Sequence, residues 1–470
     1  MRKQVYCGTL QKLLLVLLIA ATLHAAAGPK ALALDGAEGP AAVPSRPTFA
    51  KDIAPILYSK CVQCHRAGDI APMQLQTYSQ VRPWAKSIQE QVAKRAMPPW
   101  FADPEHGRFR NDRHLSDAEI QTISAWVSAG APEGNPKDLP PLPAMAEGWS
   151  FERPPDLVIE MPLTVKVPAE GQLDMMNYYT PVPFKEERWV EAVELRPGNR
   201  QVVHHSIVNV VNLPAGLTQE QLTSGKKLGG LGWKLIGQAP GKGAERHGDG
   251  VAKRIAPGSY FEFNMHYTPT GKPETDRSLL GLWFAKGPVH HEVVTRPAME
   301  QTLLGGKVVS RLQIPKIPAG DPNWAIDGQM AVKEDITLYS LSPHMHFRGH
   351  DMKYTVRFPD GHEEVLLNVP HYDFEWQLNY EFDKPVKIPA GSTFIINGHF
   401  DNSKGNPKNP DPTADVIWGQ QSWNEMFIPW AEWTVDKQDL SKMTKEEIDK
   451  MRNAARVRDP EVADKNDKKN

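Results

Sequence analysis

Two thiols and a histidine near the start of the chain have the spacing of a heme-attachment site. They lie in Cys61-Val62-Gln63-Cys64-His65. In this pattern the thiols form thioethers to the vinyl groups of a porphyrin, and the adjacent histidine becomes the proximal ligand of the iron. The motif therefore predicts covalently bound heme c. A redox-active disulfide is the alternative that two such cysteines allow, and the histidine that follows them favours heme.

Two methionines are candidates for the second axial ligand of this iron. Met97 precedes Pro98 and Pro99, which impose an extended loop that can direct the sulfur towards the iron. Met73 is its competitor, and Met97 as simple core filler is the alternative to ligation. We favour Met97, because small cytochromes c resemble one another in placing this methionine in a proline-containing loop beyond the middle helix. Iron held by histidine and methionine transfers electrons rather than binding O2.

Histidine clusters further along the chain could bind another metal. His344 and His346 are two residues apart, so on a strand they face the same side and can chelate one ion. His204 and His205 are adjacent and point to opposite faces of a regular strand, so their joint ligation needs a twist or a strand end. His266 would add a third imidazole to this second pair.

A thioether indicates which metal the His344/His346 pair would hold. Met426 could complete that site, and a thioether selects copper over zinc or magnesium. Taken singly, each histidine could be a half-buried strand residue with a satisfied ring, and Met426 could belong to the core. Two dense histidine clusters in two similar stretches of sequence favour metal binding instead. A zinc hydrolase is disfavoured, since no H-E-x-x-H motif occurs.

The elements that must position these groups change type along the chain. Apolar residues at helical spacing and a capping box at Ser116 predict a small all-α cytochrome c domain over residues 47–138. Residues 139–155 are proline-rich and predict a semi-rigid linker. Short β-rich runs between Pro/Gly turns then predict two all-β, antiparallel, jelly-roll-like sandwich domains, over 156–300 and 301–435.

An internal similarity supports two related β domains. Residues 258–267 align with residues 391–400, and each segment follows a Pro/Gly turn and ends in a His-aromatic pair. His399 takes the position in the second copy that His266 takes in the first. It could be an additional ligand, a partner of a ligand, or a remnant of duplication.

Both ends of the chain carry separate signals. Basic residues followed by an apolar run shorter than about 20 residues predict a signal peptide over 1–33, with an uncleaved anchor as the alternative. We therefore expect a periplasmic or secreted protein with no integral membrane segment after cleavage. Residues 436–470 predict a charged tail with a short surface helix. The 54 basic and 56 acidic residues nearly cancel, so nothing indicates nucleic-acid binding.

Residues 155 to 435 resemble the copper type II, ascorbate-dependent monooxygenases, the family of peptidylglycine α-hydroxylating monooxygenase and dopamine β-hydroxylase. The resemblance implies two β-sandwich domains that hold one copper ion each and face one another across a cleft. It implies that an electron-transfer copper is bound by His204, His205 and His266. It also implies that a catalytic copper, which activates O2, is bound by His344, His346 and Met426. The chain departs from the family in having no cysteine left for its disulfides.

The motifs together predict an exported copper- and heme-dependent monooxygenase that hydroxylates a C–H bond of a small organic substrate with O2. The fused heme would relay electrons to the copper at His204, His205 and His266, with ascorbate or another external reductant and a redox partner protein as the sources. A non-catalytic heme/copper electron-transfer protein and a copper-binding protein are the alternatives. Neither the substrate nor the oligomeric state can be read from the sequence.

Overall fold

The computed structural model describes residues 44–144, 148–171, 173–229, 231–310, 313–419, 421–448 and 450. The predicted signal peptide and the end of the predicted tail lie outside these residues. Antiparallel β-sheets predominate in the described residues, which confirms the expected β-rich architecture. In these ranges no helix has the length and apolarity needed to cross a membrane.

The helical segment of the structure surrounds the cysteine motif. Helix α4 (Asp117–Ser128) begins at the predicted capping box, where the Ser116 hydroxyl accepts from the Glu119 N–H at 3.3 Å and the Glu119 carboxylate accepts from the Ser116 N–H at 2.7 Å. Apolar faces meet in one buried core that includes Phe49, Leu57 and Trp126. The elements are a π-helical turn (Phe49–Ile53), α1 (Ala54–Lys60), α2 (Tyr78–Val81), a 3₁₀ turn (Arg82–Trp84), α3 (Ala85–Ala93), α4 (Asp117–Ser128) and a second 3₁₀ turn (Pro136–Asp138).

The first β region contains two main sheets. One has the strand order β3-β9-β5-β6, and the other has the order β1-β11-β4-β8-β12 with β7 also on β4, while β2 and β10 form a separate pair. Neighbouring strands are antiparallel apart from the short β8–β12 pair. The strands are β1 (Leu157–Glu160), β2 (Val165–Val167), β3 (Met176–Pro181), β4 (Arg188–Arg196), β5 (Val203–Asn212), β6 (Leu231–Gln238), β7 (Glu245–Arg246), β8 (Val251–Ile255), β9 (Tyr260–Tyr267), β10 (Glu274–Asp276), β11 (Leu279–Phe284) and β12 (His291–Glu292), with helix α5 (Gln219–Leu222) after β5.

The second β region also contains two antiparallel sheets. Their strand orders are β13-β22-β17-β20 and β15-β14-β16-β21-β18-β19. In each β region the two main sheets contribute side chains to one buried core, as Val193 on β4 and Val208 on β5 do in the first. The strands are β13 (Val294–Pro297), β14 (Gln301–Leu304), β15 (Lys307–Ser310), β16 (Trp324–Ala331), β17 (Ile336–His344), β18 (Gly349–Arg357), β19 (Glu363–Val369), β20 (Tyr380–Ile388), β21 (Thr393–Phe400) and β22 (Ile428–Val435).

The two segments that align in the sequence form β9 and β21. Strand β9 pairs with β5, which carries His204 and His205. Strand β21 pairs with β16 and β18, and not with β17, so His399 lies in a different sheet from His344. The two copies of the sequence pattern therefore occupy different positions relative to their histidine-bearing strands.

The segment between α3 and α4 attaches the helical segment to the second β region. The ring centroids of Trp100 and Tyr380 are 4.9 Å apart, and those of Phe109 and Phe382 are 5.2 Å apart. The Asn111 amide donates to the Asn379 carbonyl at 2.7 Å. These contacts, rather than the proline-rich stretch 139–155 alone, fix the position of the helical segment.

Candidate metal centre

His204, His205 and His266 come together on the β5–β9 pair. The register of this pair shifts between Val203 and His205, so His204 is an extra residue on β5, and His205 lies opposite His266. One ring nitrogen from each of the three histidines lies within 4.8 Å of the other two. The bulge supplies the backbone distortion that two adjacent histidines need to face one point.

The nitrogens of this cluster are placed as metal ligands would be. Nδ1 of His204 and Nδ1 of His205 lie 3.2 Å apart, which suits a hydrogen bond and also suits two nitrogens at about 2.0 Å from one ion. His266 Nδ1 is buried with no hydrogen-bond partner among the described residues. Burial lowers the pKa of His204 and of His266 to about 4. The rings are therefore neutral near pH 7, which is the form that binds metals.

His344 and His346 form the second cluster at the end of β17. Their ring centroids are 5.2 Å apart and their planes are nearly perpendicular. His344 Nδ1 donates to Gln377 Oε1 at 2.7 Å, and His346 Nδ1 donates to the Asn424 carbonyl at 3.1 Å. Both hydrogen bonds leave Nε2 free as a ligand. Burial lowers the pKa of His344 to about 3 and that of His346 to about 4.

Met426 belongs to the segment that supports His346. The buried carboxylate of Glu425 accepts the backbone N–H of His346 at 2.8 Å and that of Arg348 at 2.6 Å. Burial raises the pKa of Glu425 to about 8. Phe427 is fully buried in the core of the second β region, and Met426 is half-buried. The structure therefore places the methionine beside residues that contact the second cluster.

One aromatic ring lies between the two clusters. The Phe374 centroid is 5.3 Å from that of His205, 6.0 Å from that of His266 and 5.6 Å from that of His346. Phe374 comes from the loop between β19 and β20. Histidines from the two β regions thus meet across a single side chain.

The same loop supplies polar partners for both clusters. Gln377 accepts from His344 through its oxygen, and its amide nitrogen donates to His205 Nε2 at 2.9 Å. The Glu375 carboxylate lies 3.4 Å from His204 Nε2. Gln377 has φ +34, a left-handed value that is uncommon and strained for a residue other than glycine. These residues were not predicted from the sequence, because the run 373–377 contains no histidine, cysteine or methionine.

Comparisons with known proteins assign no family to this chain. No protein-family model and no curated protein matches it. Among solved structures, an infectious bursal virus T=1 particle is 10% identical with a TM-score of 0.17, and the match covers 60% of this chain and 70% of that one. A peptide-N(4)-(N-acetyl-β-D-glucosaminyl) asparagine amidase is 8% identical with a TM-score of 0.24, covering 59% of this chain and 98% of that one. Neither TM-score indicates a shared fold.

The cysteine motif has the donors that a covalent heme would need. Both thiols are free, and burial together with the neighbouring Cys64 raises the pKa of Cys61 to about 12. His65 Nδ1 donates to the Met73 carbonyl at 3.1 Å, which leaves Nε2 as the available ligand. The Met73 side chain packs against the helical core. Met97 follows α3 and leads into the segment that contacts the second β region, and both methionines remain candidates for the second axial position.

A loop of the first β region lies against the cysteine motif. We call residues 239–242 the β6 loop. A Cβ atom on Gly241 would lie only 3.0 Å from Cys64 Sγ. The guanidinium of Arg113 donates to the carbonyls of Pro240 at 3.2 Å and of Gly241 at 3.0 Å. These contacts fix the loop directly beside the predicted heme attachment.

The other side of the β6 loop faces a pocket between the two histidine clusters. This central pocket is a small, solvent-open cavity of about 30 Å³, and its walls include His205, His344, Lys234, Ala239 and Lys242. The β6 loop therefore touches the cysteine motif on one side and lines the pocket on the other.

Two other groups of polar residues lie outside these clusters. His399 Nδ1 donates to the Asp351 carboxylate at 2.9 Å and joins neither cluster among the described residues. Glu245, His247 and Glu432 also lie within metal-binding distance of one another. The buried Lys253 ammonium, however, donates to Glu432 at 2.7 Å and also to Glu245. It fills the place that a metal cation would take.

Proposed function

We propose that the protein is an exported copper- and heme-dependent monooxygenase that hydroxylates a C–H bond of a small organic substrate with O2. One observation supports this most strongly: two clusters of buried or half-buried, neutral histidines, one from each β region, meet at one loop and one pocket. On this proposal the helical segment is a cytochrome c domain, and the two β regions are copper-binding sandwiches.

The donor sets suit the proposed cofactors. Bound copper would supply one-electron chemistry with O2, and heme c would supply the electrons. The three imidazoles of the first cluster favour the electron-transfer role, and the thioether favours redox-active copper at the second. The residues that would hold each group are His204, His205 and His266 for one copper, His344, His346 and Met426 for the other, and Cys61, Cys64, His65 and Met97 for heme.

The surrounding residues would orient the ligands and exclude water. The Asn424 carbonyl and the Gln377 amide fix the His346 and His344 rings with Nε2 free. The Glu375 carboxylate lies 3.4 Å from the outer nitrogen of His204. The buried Phe374 ring packs against the rings of His205, His266 and His346. Such partners fix the ring orientation and tautomer of histidine ligands in other metal sites.

The test is isotope labelling with the full-length, copper- and heme-loaded protein. A panel of small organic compounds is incubated with reductant and ¹⁸O₂, and products are analysed by mass spectrometry. We expect one ¹⁸O atom per product molecule, and we expect His344→Ala to abolish labelling. His362→Ala is the matched control, since that exposed histidine pairs with Asp360 away from both clusters.

Other outcomes would favour the alternatives. Oxidation of reduced heme by O2 through copper with no labelled product would indicate an electron-transfer protein. Copper binding with no effect on the heme would indicate a copper-binding protein.

A further inference from the structure

His247 is a histidine with a buried side chain and an unsatisfied ring nitrogen. The side chain is 4% exposed, and Nε2 lies 3.6 Å from Glu245 Oε1, beyond hydrogen-bonding distance. No other polar group among the described residues bonds this nitrogen. Lys253 donates to both Glu245 and Glu432 and so takes the place of a metal ion between them. Metal ligation therefore does not explain the histidine, and an unpaired imidazole beside a carboxylate suits proton transfer instead.

His247 lines a second cavity, at the junction of the helical segment and both β regions. We call it the outer cavity. It has a volume of about 70 Å³, and its walls include Arg110 of the helical segment and Tyr339 of the second β region. Two other lining residues, Arg246 and Asp383, are exposed, so the cavity communicates with solvent. One water needs about 10–15 Å³ of such space, so the outer cavity has room for several.

Glu245 connects His247 with the central pocket. Its second carboxylate oxygen, Oε2, accepts from Lys242 Nζ at 2.9 Å. Lys242 is the last residue of the β6 loop and lines the central pocket. Asn379 lines both the outer cavity and the central pocket, so the two spaces are neighbours. The three ionisable side chains therefore form a series that leads from one cavity to the other.

The second carboxylate of this region is occupied within the core. Glu432 accepts from Lys253 at 2.7 Å and from Thr295 at 2.9 Å through one oxygen, and from Ser340 at 3.1 Å through the other. Glu245, by contrast, contacts two groups that line different cavities. Of these two buried acids, Glu245 is the one placed to exchange a proton with both.

We propose that His247, Glu245 and Lys242 form a proton relay from the outer cavity to the central pocket. The Lys242 ammonium releases a proton into the pocket. Glu245 then passes a proton from protonated His247 to the resulting amine, and His247 recovers a proton from water in the outer cavity. All three groups return to their starting states with one proton moved inwards. A shift of the His247 ring by a few tenths of an ångström closes its gap to Glu245.

The proposed function supplies the demand for these protons. Hydroxylation converts RH, O2, two electrons and two protons into ROH and water, and heme c would supply the electrons. Reduction of O2 to hydrogen peroxide by two electrons also consumes two protons. The relay therefore rests on the proposed function only in requiring that O2 be reduced beside the central pocket.

The test follows reoxidation of pre-reduced heme by O2 in the full-length, copper- and heme-loaded protein, by stopped-flow absorbance in H2O and in D2O. We expect His247→Ala and Lys242→Met each to slow reoxidation by at least about tenfold and to enlarge the solvent isotope effect. His362→Ala and Lys166→Met remove an exposed histidine and an exposed lysine, and these controls should react as the unaltered protein does.

Chemical rescue separates proton transfer from a structural role. Imidazole added at constant pH should restore the rate of His247→Ala, because it can occupy the outer cavity and carry protons there. Pyrazole has a ring of similar size that is not basic near pH 7, so it should not restore the rate. Neither compound should rescue Lys242→Met, whose missing group lies beyond the outer cavity, or accelerate the unaltered protein.

The outcomes distinguish the relay from the monooxygenase. If both variants reoxidise heme at the unaltered rate, protons reach the pocket by another way and the relay is wrong. Slow reoxidation of His247→Ala that imidazole does not restore would also overturn it. Slow but rescued reoxidation, with no ¹⁸O-labelled product from any compound, would leave the relay standing and remove the monooxygenase. Labelled product formed at the unaltered rate by both variants would do the reverse, and heme that O2 does not reoxidise would remove both.

Discussion

The Gln377 side chain contacts both histidine clusters. Its amide keeps the metal-facing ring nitrogen unprotonated in only one of them. Its oxygen accepts from His344 Nδ1, so His344 Nε2 is free to bind metal. Its nitrogen donates to His205 Nε2, so the proton of neutral His205 is on Nδ1, the nitrogen that faces His204. The amide thus supports the second site and opposes ligation through His205 Nδ1 at the first.

Replacing Gln377 with leucine should therefore affect the two sites differently. We expect copper affinity at the His344/His346 site to fall by about 10- to 100-fold, as when other hydrogen-bond partners of ligands are lost. The affinity at the His204/His205/His266 site should not fall. Competition with a Cu(I) chelator measures both constants. The control is Gln301→Leu, which removes a similar amide that accepts a hydrogen bond from Gln329 on the exposed surface of a sheet. Equal losses at both sites would contradict this role.

Lys234 on β6 is only 8% exposed, and its buried positive charge should reduce the stability of the folded protein. Burial, with Lys242 nearby, lowers the pKa of Lys234 from 10.5 to about 8. The folded state therefore disfavours the ammonium form, and this cost is complete below pH 8 and disappears as the pH rises to about 10.5. We expect Lys234→Met to raise the free energy of unfolding at pH 7 by up to about 3 kcal/mol. Chemical denaturation should show the gain shrinking towards pH 10.5, and a gain independent of pH would show that the buried charge is not its cause.

Only part of the site could be predicted from residue spacing. The i, i+2 spacing of His344 and His346 suffices to bring these two rings together. The adjacent pair His204 and His205 required a bulge, and no local sequence signal gives its position. Gln377 and Lys234 are brought to the site by long-range packing, so no spacing along the chain could reveal them. The antiparallel β architecture was predictable because alternation and turn residues act locally.

At the level of elements, the aromatic contact between the helical segment and β20 should make the two unfold together. Phe109 is 92% buried between Trp100, Tyr380 and Phe382. We expect Phe109→Ala to cost about 3 kcal/mol. It should also separate the unfolding transition seen by heme absorbance from that seen by tryptophan fluorescence.

These two transitions should coincide in the unaltered protein. Phe184→Ala removes an aromatic pair with Phe284 inside the first β region and is the control. Separate transitions before any substitution would show that the helical segment is an independent unit. The sequence indicated a linker at 139–155, but an aromatic loop that contacts residues some 270 positions away could not be recognised from local pattern.

For the whole molecule, the β6 loop is the described segment that touches both the predicted heme attachment and the central pocket. Its contact with Cys64 depends on Gly241, which has φ +77 and leaves no room for a side chain between the loop, Cys64 and Arg113. We expect Gly241→Val to displace the loop from the cysteine motif. Stopped-flow oxidation of pre-reduced heme, with copper, O2 and a small organic substrate present, should then be several-fold slower.

The heme spectrum should be unchanged, because the valine does not replace an axial ligand. Gly216→Val is the matched control, since Gly216 also has a left-handed φ, at +84, but has no neighbour where the new side chain would lie. It tests the backbone strain without the contact to Cys64. If both variants oxidise heme at the rate of the unaltered protein, electrons do not leave the heme beside the β6 loop. If heme stays reduced in the unaltered protein throughout the reaction, no route from heme to copper is used at all.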